Sequence, residues 1–454
     1  MHMTPTSNGC RYIVYRHWRE RWLSWRLGVS FFLFGLLNNV LYVIILSAAL
    51  DLVPPSTPKG IIAFVNIAPA LVAKVGWPYL LKGHIRYTKR LMGCCLLSSL
   101  GMIVVAAFDN LNMRLLGISF ASFSSGLGEL TFLQLSTTYT PPSLAGRSVG
   151  YFASGTGAAG LVGAFLWWEV RSLGVRVGVG LSSIMPWIIP IVYFFLLPHT
   201  YEDATSPAEH SIIPYAPLPA TEDEIGEEGF VPSGRKRGVS LSANDKWRLV
   251  KPLLVKYMLP LFIVYLLEYT INQGIAPTLL YPVPNAKDHP VLSKFIHTIR
   301  DYYPLWQLVY QTTVFLSRSS ITLGIPPLPA NLLFTPAVLQ ALIFVILAFD
   351  SAVGLFPDDD GAISIVTVFL LISLEGVCGG LAYVNVFYRI NQERPDPQSM
   401  HDVERTKQER EFRIGSIGFA DSCGILLAAV VAVPTEVTLC KTQINRGKML
   451  CKGL

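Results

Sequence analysis

Long apolar blocks broken by short polar stretches dominate the chain. Leu27 to Leu50 runs for 24 residues without a charge, and about 20 apolar residues are enough for a helix to span a bilayer. Ten further blocks follow, near 60–81, 91–108, 115–139, 148–168, 173–197, 252–274, 304–321, 331–349, 362–388 and 412–433. The eighth has the shortest clean apolar stretch and is closed by Arg318. The pattern predicts an all-α polytopic membrane protein with about eleven transmembrane helices.

The polar stretches divide this pattern. A basic tail (1–26) precedes a six-helix half (27–197), a hydrophilic linker (198–251), a five-helix half (252–433) and a C-terminal tail (434–454). Charged residues make up 15% of the 454, against about 25% in soluble proteins, which excludes a soluble enzyme or a nucleic-acid binder. The +6 net charge sits in loops. Cytosolic loops of membrane proteins carry the excess Lys and Arg. Arg11, Arg16, Arg19, Arg21 and Arg26 in the tail, Lys82, Arg86, Lys89 and Arg90 in the first long turn, and the 198–251 and 389–413 loops alternate correctly for a cytosolic N-terminus. The acidic Asp358–Asp360 turn falls on the other side. An odd number of crossings also sends Lys441, Arg446, Lys448 and Lys452 there, against the same rule.

The linker carries Glu222–Glu228 and Arg235-Lys236-Arg237 with little apolar content, a composition that predicts disorder. Within it Tyr215 to Leu218 fits a Tyr-x-x-apolar sorting signal for adaptors. Seven cysteines with no metal-ligand spacing predict packed thiols, with neither a disulfide framework, a metal nor a cofactor. Cys451 to Leu454 has the length of a prenylation box, but Lys452 and Gly453 stand where aliphatic residues are preferred.

Chemistry is expected where polar side chains fall at mid-membrane depth. An acidic residue at a helix centre costs about 2.5–3.5 kcal/mol on insertion scales, so it implies a partner, a wet cavity or a proton. Glu375 is central in the tenth block, with Gly379 and Tyr383 on its face and Asn385 beyond. Glu129 in the fourth shares a face with Ser122, Ser125, Gly126 and Ser136. Asn38, Asn39 and Tyr42 lie in the first, Glu268, Asn272 and Gln273 in the seventh, and Asp421 in the eleventh. The alternative for the amides is plain interhelical hydrogen bonding. Lys74 is expected to snorkel to the cytosolic side.

Small residues recur every four positions as Gly155, Ala159, Gly163 and as Thr156, Gly160, Ala164. With Gly157, and with Gly379 and Gly380 beside Glu375, they predict close helix packing or flex points. Aligning blocks seven to eleven with one to five matches SSGLGEL to LEGVCGG and LLNNVLYV to LEYTINQG, a repeat of the kind transporters use to build a midplane site. All eight histidines lie in loops or tails, which argues against intramembrane hydrolysis.

The strings GLLNNVLYVIILSAALDLV, SSGLGELTFLQL, SGTGAAGLVGA, LEGVCGGLAYVNVFYRI and ADSCGIL resemble the battenin family of lysosomal and fungal vacuolar membrane proteins. The resemblance implies a major-facilitator-like two-half bundle whose cavity is lined by the first, fourth, seventh and tenth helices. It implies a vacuolar membrane location and a role in pH homeostasis and transport of basic amino acids such as arginine, with glycerophosphodiester export as an alternative. Glu375 lies in the family's most recognisable acidic motif. On this reading a small solute, and protons, meet Glu375, Glu129, Asn38, Asn39, Tyr42, Tyr383, Asn385, Glu268 and Asp421. A non-transporting trafficking scaffold working through the linker is the competing expectation.

Overall fold

The computed structural model describes residues 7–48, 52, 60–80, 86–139, 142–170, 173–198, 242–284, 290, 292–294, 296–356, 361–393 and 403–451. All regular structure among them is helical. The passes of the first half are α1 (Ser7–Ser47), α2 (Gly60–Leu80), α3 (Tyr87–Ala107), α4 (Leu111–Ser136), α5 (Pro142–Val170) and α6 (Val175–Leu196, broken at Pro186). Those of the second are α7 (Ala243–Thr278), α8 (Tyr302–Arg318), α9 (Thr335–Val353), α10 (Gly361–Gln392) and α11 (Val403–Asn445). Eight of the described helices are long and apolar enough to cross a membrane. Of the rest, α8 is too short at 17 residues, and α4 is diluted by the serines and glycines of its inward face.

The apolar surface points outward. Val338, Leu342, Val345 and Phe349 form an exposed stripe along α9, and Val430, Val433 and Val437 one along α11. Such stripes at helical spacing suit lipid, and this is a multi-pass membrane protein.

Boundaries differ from the sequence reading at three places. Much of the basic tail continues α1 back to Ser7, and α7 already begins at Ala243, where Ser242 and Asp245 form a capping box. The third is α11, a helix of 43 residues, or roughly 65 Å at 1.5 Å per residue, which runs through Pro434 into the expected tail. Gly447 (φ 96°) then reverses the chain. Lys448 N–H donates to Gln443 O at 3.0 Å, as at a glycine-ended helix. The reversal brings Cys451 back to Cys440, and the two form a disulfide. This corrects the expectation that no cysteines pair, and it removes Cys451 as a lipidation site. The tail packs on the ends of α7 and α9, the face opposite the N-terminus: Gln443 Nε2 donates to Thr278 O and to Ser351 Oγ, both at 2.9 Å, and Lys448 lies 4.7 Å over the Tyr281 ring. The Tyr215–Leu218 signal lies outside the described residues.

Helix α5 joins the halves. A Cβ on Gly155 would stand 2.0 Å from Phe32 O of α1, and one on Gly163 2.8 Å from Val43. One on Gly160 would meet Gln311 Oε1 of α8 at 2.0 Å, and one on Gly157 the Phe315 Cα at 2.9 Å. Its two small strips therefore receive the backbone of α1 on one side and α8 on the other.

Candidate functional site

Helix α2 brings the first cation inward. Pro69 lacks an N–H, and beside it Ser122 Oγ of α4 donates to Asn66 O at 2.8 Å and accepts from Ala70 N at 3.2 Å. Gly126 lets the α4 backbone lie against Ala70 at this point. One turn on, the Lys74 ammonium is buried between Glu129 of α4 at 2.9 Å and Asp421 of α11 at 3.3 Å. Ser422 Oγ also donates to Asp421 at 3.0 Å. Lys74 is 6% exposed, so it does not snorkel: the two carboxylates supply what the interface would have supplied. The other Glu129 oxygen accepts from Tyr383 of α10 at 3.1 Å. The triad thus ties α2 and α4 of the first half to α10 and α11 of the second.

A second cluster lies within the second half. Just past Glu268, helix α7 widens into a π-helical turn over Ile271–Ile275, which includes Asn272, a feature common at functional sites. Asn272 Nδ2 donates to Glu375 of α10 at 2.9 Å, and its carbonyl accepts from Gln307 Nε2 of α8 at 2.9 Å. The Tyr310 hydroxyl donates to Glu268. Glu268 and Glu375 are both 0% exposed, and each keeps one oxygen, Oε2, without a hydrogen-bond partner. Gly379 makes room for Glu268, since a Cβ there would stand 2.4 Å from that orphan oxygen. Gly380 similarly admits Ser317.

Between the clusters stands Arg318. Helix α8 ends at Arg318, and beyond it Leu328 lies against α10: Asn385 Oδ1 accepts from Leu328 N at 2.7 Å, and Arg389 Nε donates to Leu328 O at 2.8 Å. Arg318 Nη1 donates to Thr156 Oγ1 of α5 at 2.6 Å and Nη2 to the Tyr265 hydroxyl of α7 at 2.9 Å, with the guanidinium carbon 4.5 Å from the Tyr383 ring centre.

Of the residues singled out from sequence, Glu129, Asp421 and Tyr383 meet around Lys74, and Asn272 Nδ2 donates both to the Glu375 carboxyl and to the Glu268 backbone oxygen. Tyr42 lies beside Tyr269 and Lys74. Asn38 bonds Ser125 O at 3.0 Å, Asn39 bonds its own helix at Gly35 O, and Asn385 holds the 319–334 segment. Sequence reading passed over Tyr265, Gln307 and Tyr310, and took Arg318 only as the end of a block and Thr156 only as a packing position. A signal was present: Tyr265, Glu268, Tyr269 and Asn272, and likewise Gln307, Tyr310 and Arg318, recur at i, i+3, i+4, i+7 or i+11 along one helix face.

A family model described as CLN3 protein matches residues 29–442. The chain belongs to the CLN3 (battenin) family. It is 45% identical to Protein BTN1 of Mycosarcoma maydis, over 96% of this chain and 90% of that one. It is 42% identical to Protein BTN1 of Cryptococcus neoformans (strain B-3501A), over 94% and 96%. In fold it resembles the crystal structure of the human organic anion transporter MFSD10 (TETRAN), at a TM-score of 0.52 and 14% identity over 94% of this chain and 99% of that chain. The CLN3 family chain described here therefore shares that fold, with Lys74, Glu129 and Asp421 gathered where its two halves meet and Glu268 and Glu375 within the second.

Proposed function

We propose that this protein is a secondary transporter of the vacuolar membrane that moves a small solute by alternating access, with basic amino acids such as arginine as the solute class and vacuolar pH homeostasis as the consequence. The observation that carries the reading is the pair Glu268 and Glu375, each fully buried with one carboxyl oxygen lacking a partner. A carboxyl held that way is stable when it carries a proton or faces a cationic ligand, and carrier function needs both states. Glu129, Asp421, Glu268 and Glu375 stand against Lys74 and Arg318, which leaves the two clusters together with a surplus of carboxyls.

Uptake into proteoliposomes under an imposed pH gradient, wild type against Glu375→Gln, tests this. Gradient-dependent arginine flux that falls strongly in Glu375→Gln supports it; equal, gradient-dependent flux in both removes Glu375 from the mechanism. Glycerophosphodiester export is the second reading. Arg318 favours it, since a half-buried guanidinium whose hydrogen-bond acceptors among the described residues are two hydroxyls suits an anionic solute.

A further inference from the structure

We infer that Arg318 is the anion-recognition residue of the solute site, and that its bond to Thr156 is a latch between the halves which a bound carboxylate or phosphate releases. The inference rests on the transporter reading and names the part of the solute that this reading leaves open.

A guanidinium has five N–H donors and no acceptor. Among the described residues Arg318 has two acceptors, both neutral hydroxyls, and its Nε is buried without a partner. Lys74 nearby shows the contrast, with two carboxylates within 3.3 Å. Removing a charge from water costs several kcal/mol unless an opposite charge offsets it; Glu268 acts on Arg318 from a distance without forming an ion pair, and the Tyr383 ring face recovers a further part. The charge most suited to a planar fork of donors is a carboxylate or phosphate bound through two oxygens.

Arg318 keeps partial exposure although its partners lie on α5, α7 and α10, helices of both halves. Tyr269 and Glu129 are likewise partly exposed. Glu268 lies one turn along α7 from Tyr265, placed for a positive group on the same solute. The combination describes a solute with an anionic end on Arg318 and a cationic end toward the carboxyls.

Thr156 gives the site its conformational consequence. Its hydroxyl donates to Ala153 O at 2.8 Å, so its lone pair is what Arg318 Nη1 uses. Thr156 belongs to the first half and Arg318 to the second. An anion that takes Nη1 competes with Thr156 and breaks one bond holding the halves in this arrangement.

The test is ligand binding by purified full-length protein in nanodiscs with no gradient, read as affinity by melting-temperature titration. The probes are L-arginine, agmatine (the same cation without the carboxylate) and glycerophosphocholine. Variants are Arg318→Gln, Arg318→Lys and Thr156→Val. At least one anion-bearing probe should bind wild type about tenfold or more tighter than agmatine. Arg318→Gln should erase that preference, Arg318→Lys should restore part of it, and Thr156→Val should tighten binding several-fold by removing the competing acceptor. Preference for arginine alone assigns the site to carboxylates, and for glycerophosphocholine alone to phosphates. The inference is overturned if agmatine binds as well as the others, if no anion-bearing probe binds, or if the preference survives Arg318→Gln. Unchanged binding in Thr156→Val overturns the latch. Binding that follows the expected pattern without flux in proteoliposomes would count against the transporter reading and not against Arg318.

Discussion

Lys74 of α2 and Asp421 of α11 meet at 3.3 Å, one from each half of the bundle, and Glu129 closes on the same ammonium at 2.9 Å. The two substitutions that break this triad, and their combination, are not equivalent. Lys74→Met leaves two carboxylates facing each other in a buried site and should destabilise the protein by about 3–5 kcal/mol. Asp421→Asn leaves Lys74 paired with Glu129 and should cost about 1–3 kcal/mol. The double variant should recover part of the Lys74→Met loss. Denaturation in detergent, run on all three, gives the order.

The glycines should separate by what stands opposite them. A Cβ on Gly155 would lie 2.0 Å from a backbone oxygen of α1, which cannot swing away. Gly155→Ala is expected to destabilise by about 1–3 kcal/mol through overpacking and to reduce transport. Gly93 on α3 has nothing within 4 Å of its Cβ position. Gly93→Ala should be neutral, or stabilising by up to about 1 kcal/mol, because alanine is the better helix former. Melting curves of the two variants side by side check both signs.

The Cys440–Cys451 disulfide makes a chemical prediction about sidedness. Without reduction, neither thiol should react with maleimide-polyethylene glycol. Cys451→Ser should expose one reactive group, Cys440. A tag after Leu454 should be protected from protease in sealed vesicles whose cytosolic face is outward. Intact mass should show no prenyl group.

One carboxylate outside the membrane should report on pH. Asp301 caps the turn before α8, accepting from Thr298 N at 2.7 Å and His297 N at 2.8 Å, and these backbone bonds hold its pKa below the usual aspartate value. Because the folded-state pKa is depressed, its contribution is present above about pH 4, the unfolded value. It is lost as pH falls through the folded one. Asp301→Asn should therefore lower the melting temperature equally at pH 7 and pH 5, and the difference should shrink below pH 4.

Much of this was legible in the chain because lipid makes the rules strict. Each of the eleven apolar blocks falls on a helix, eight of these being long and apolar enough to cross a membrane among the described residues, and the cost of a mid-depth carboxyl picked out Glu375, Glu129 and Asp421, which the structure brings into two clusters. The cations were harder to read. A lysine near a helix end can snorkel or turn inward, and only Glu129 and Asp421, distant in sequence, decide for Lys74. Arg318 looked like a membrane boundary because an apolar run stops there, whereas it is packed among Thr156, Tyr265 and Tyr383 of three other helices, all distant in sequence. The disulfide was hidden for a related reason: Cys440 approaches Cys451 only because α11 continues past Pro434 and turns at Gly447.

Helix α5 leaves one consequence for motion. Its strips toward α1 and α8 carry hydrogens or methyls where most helices carry knobs, and surfaces without knobs have no teeth to disengage. Sliding along them is therefore governed by a few polar links such as Arg318–Thr156 and Ser154–Thr322, so the tempo of the conformational cycle is open to tuning one hydroxyl at a time.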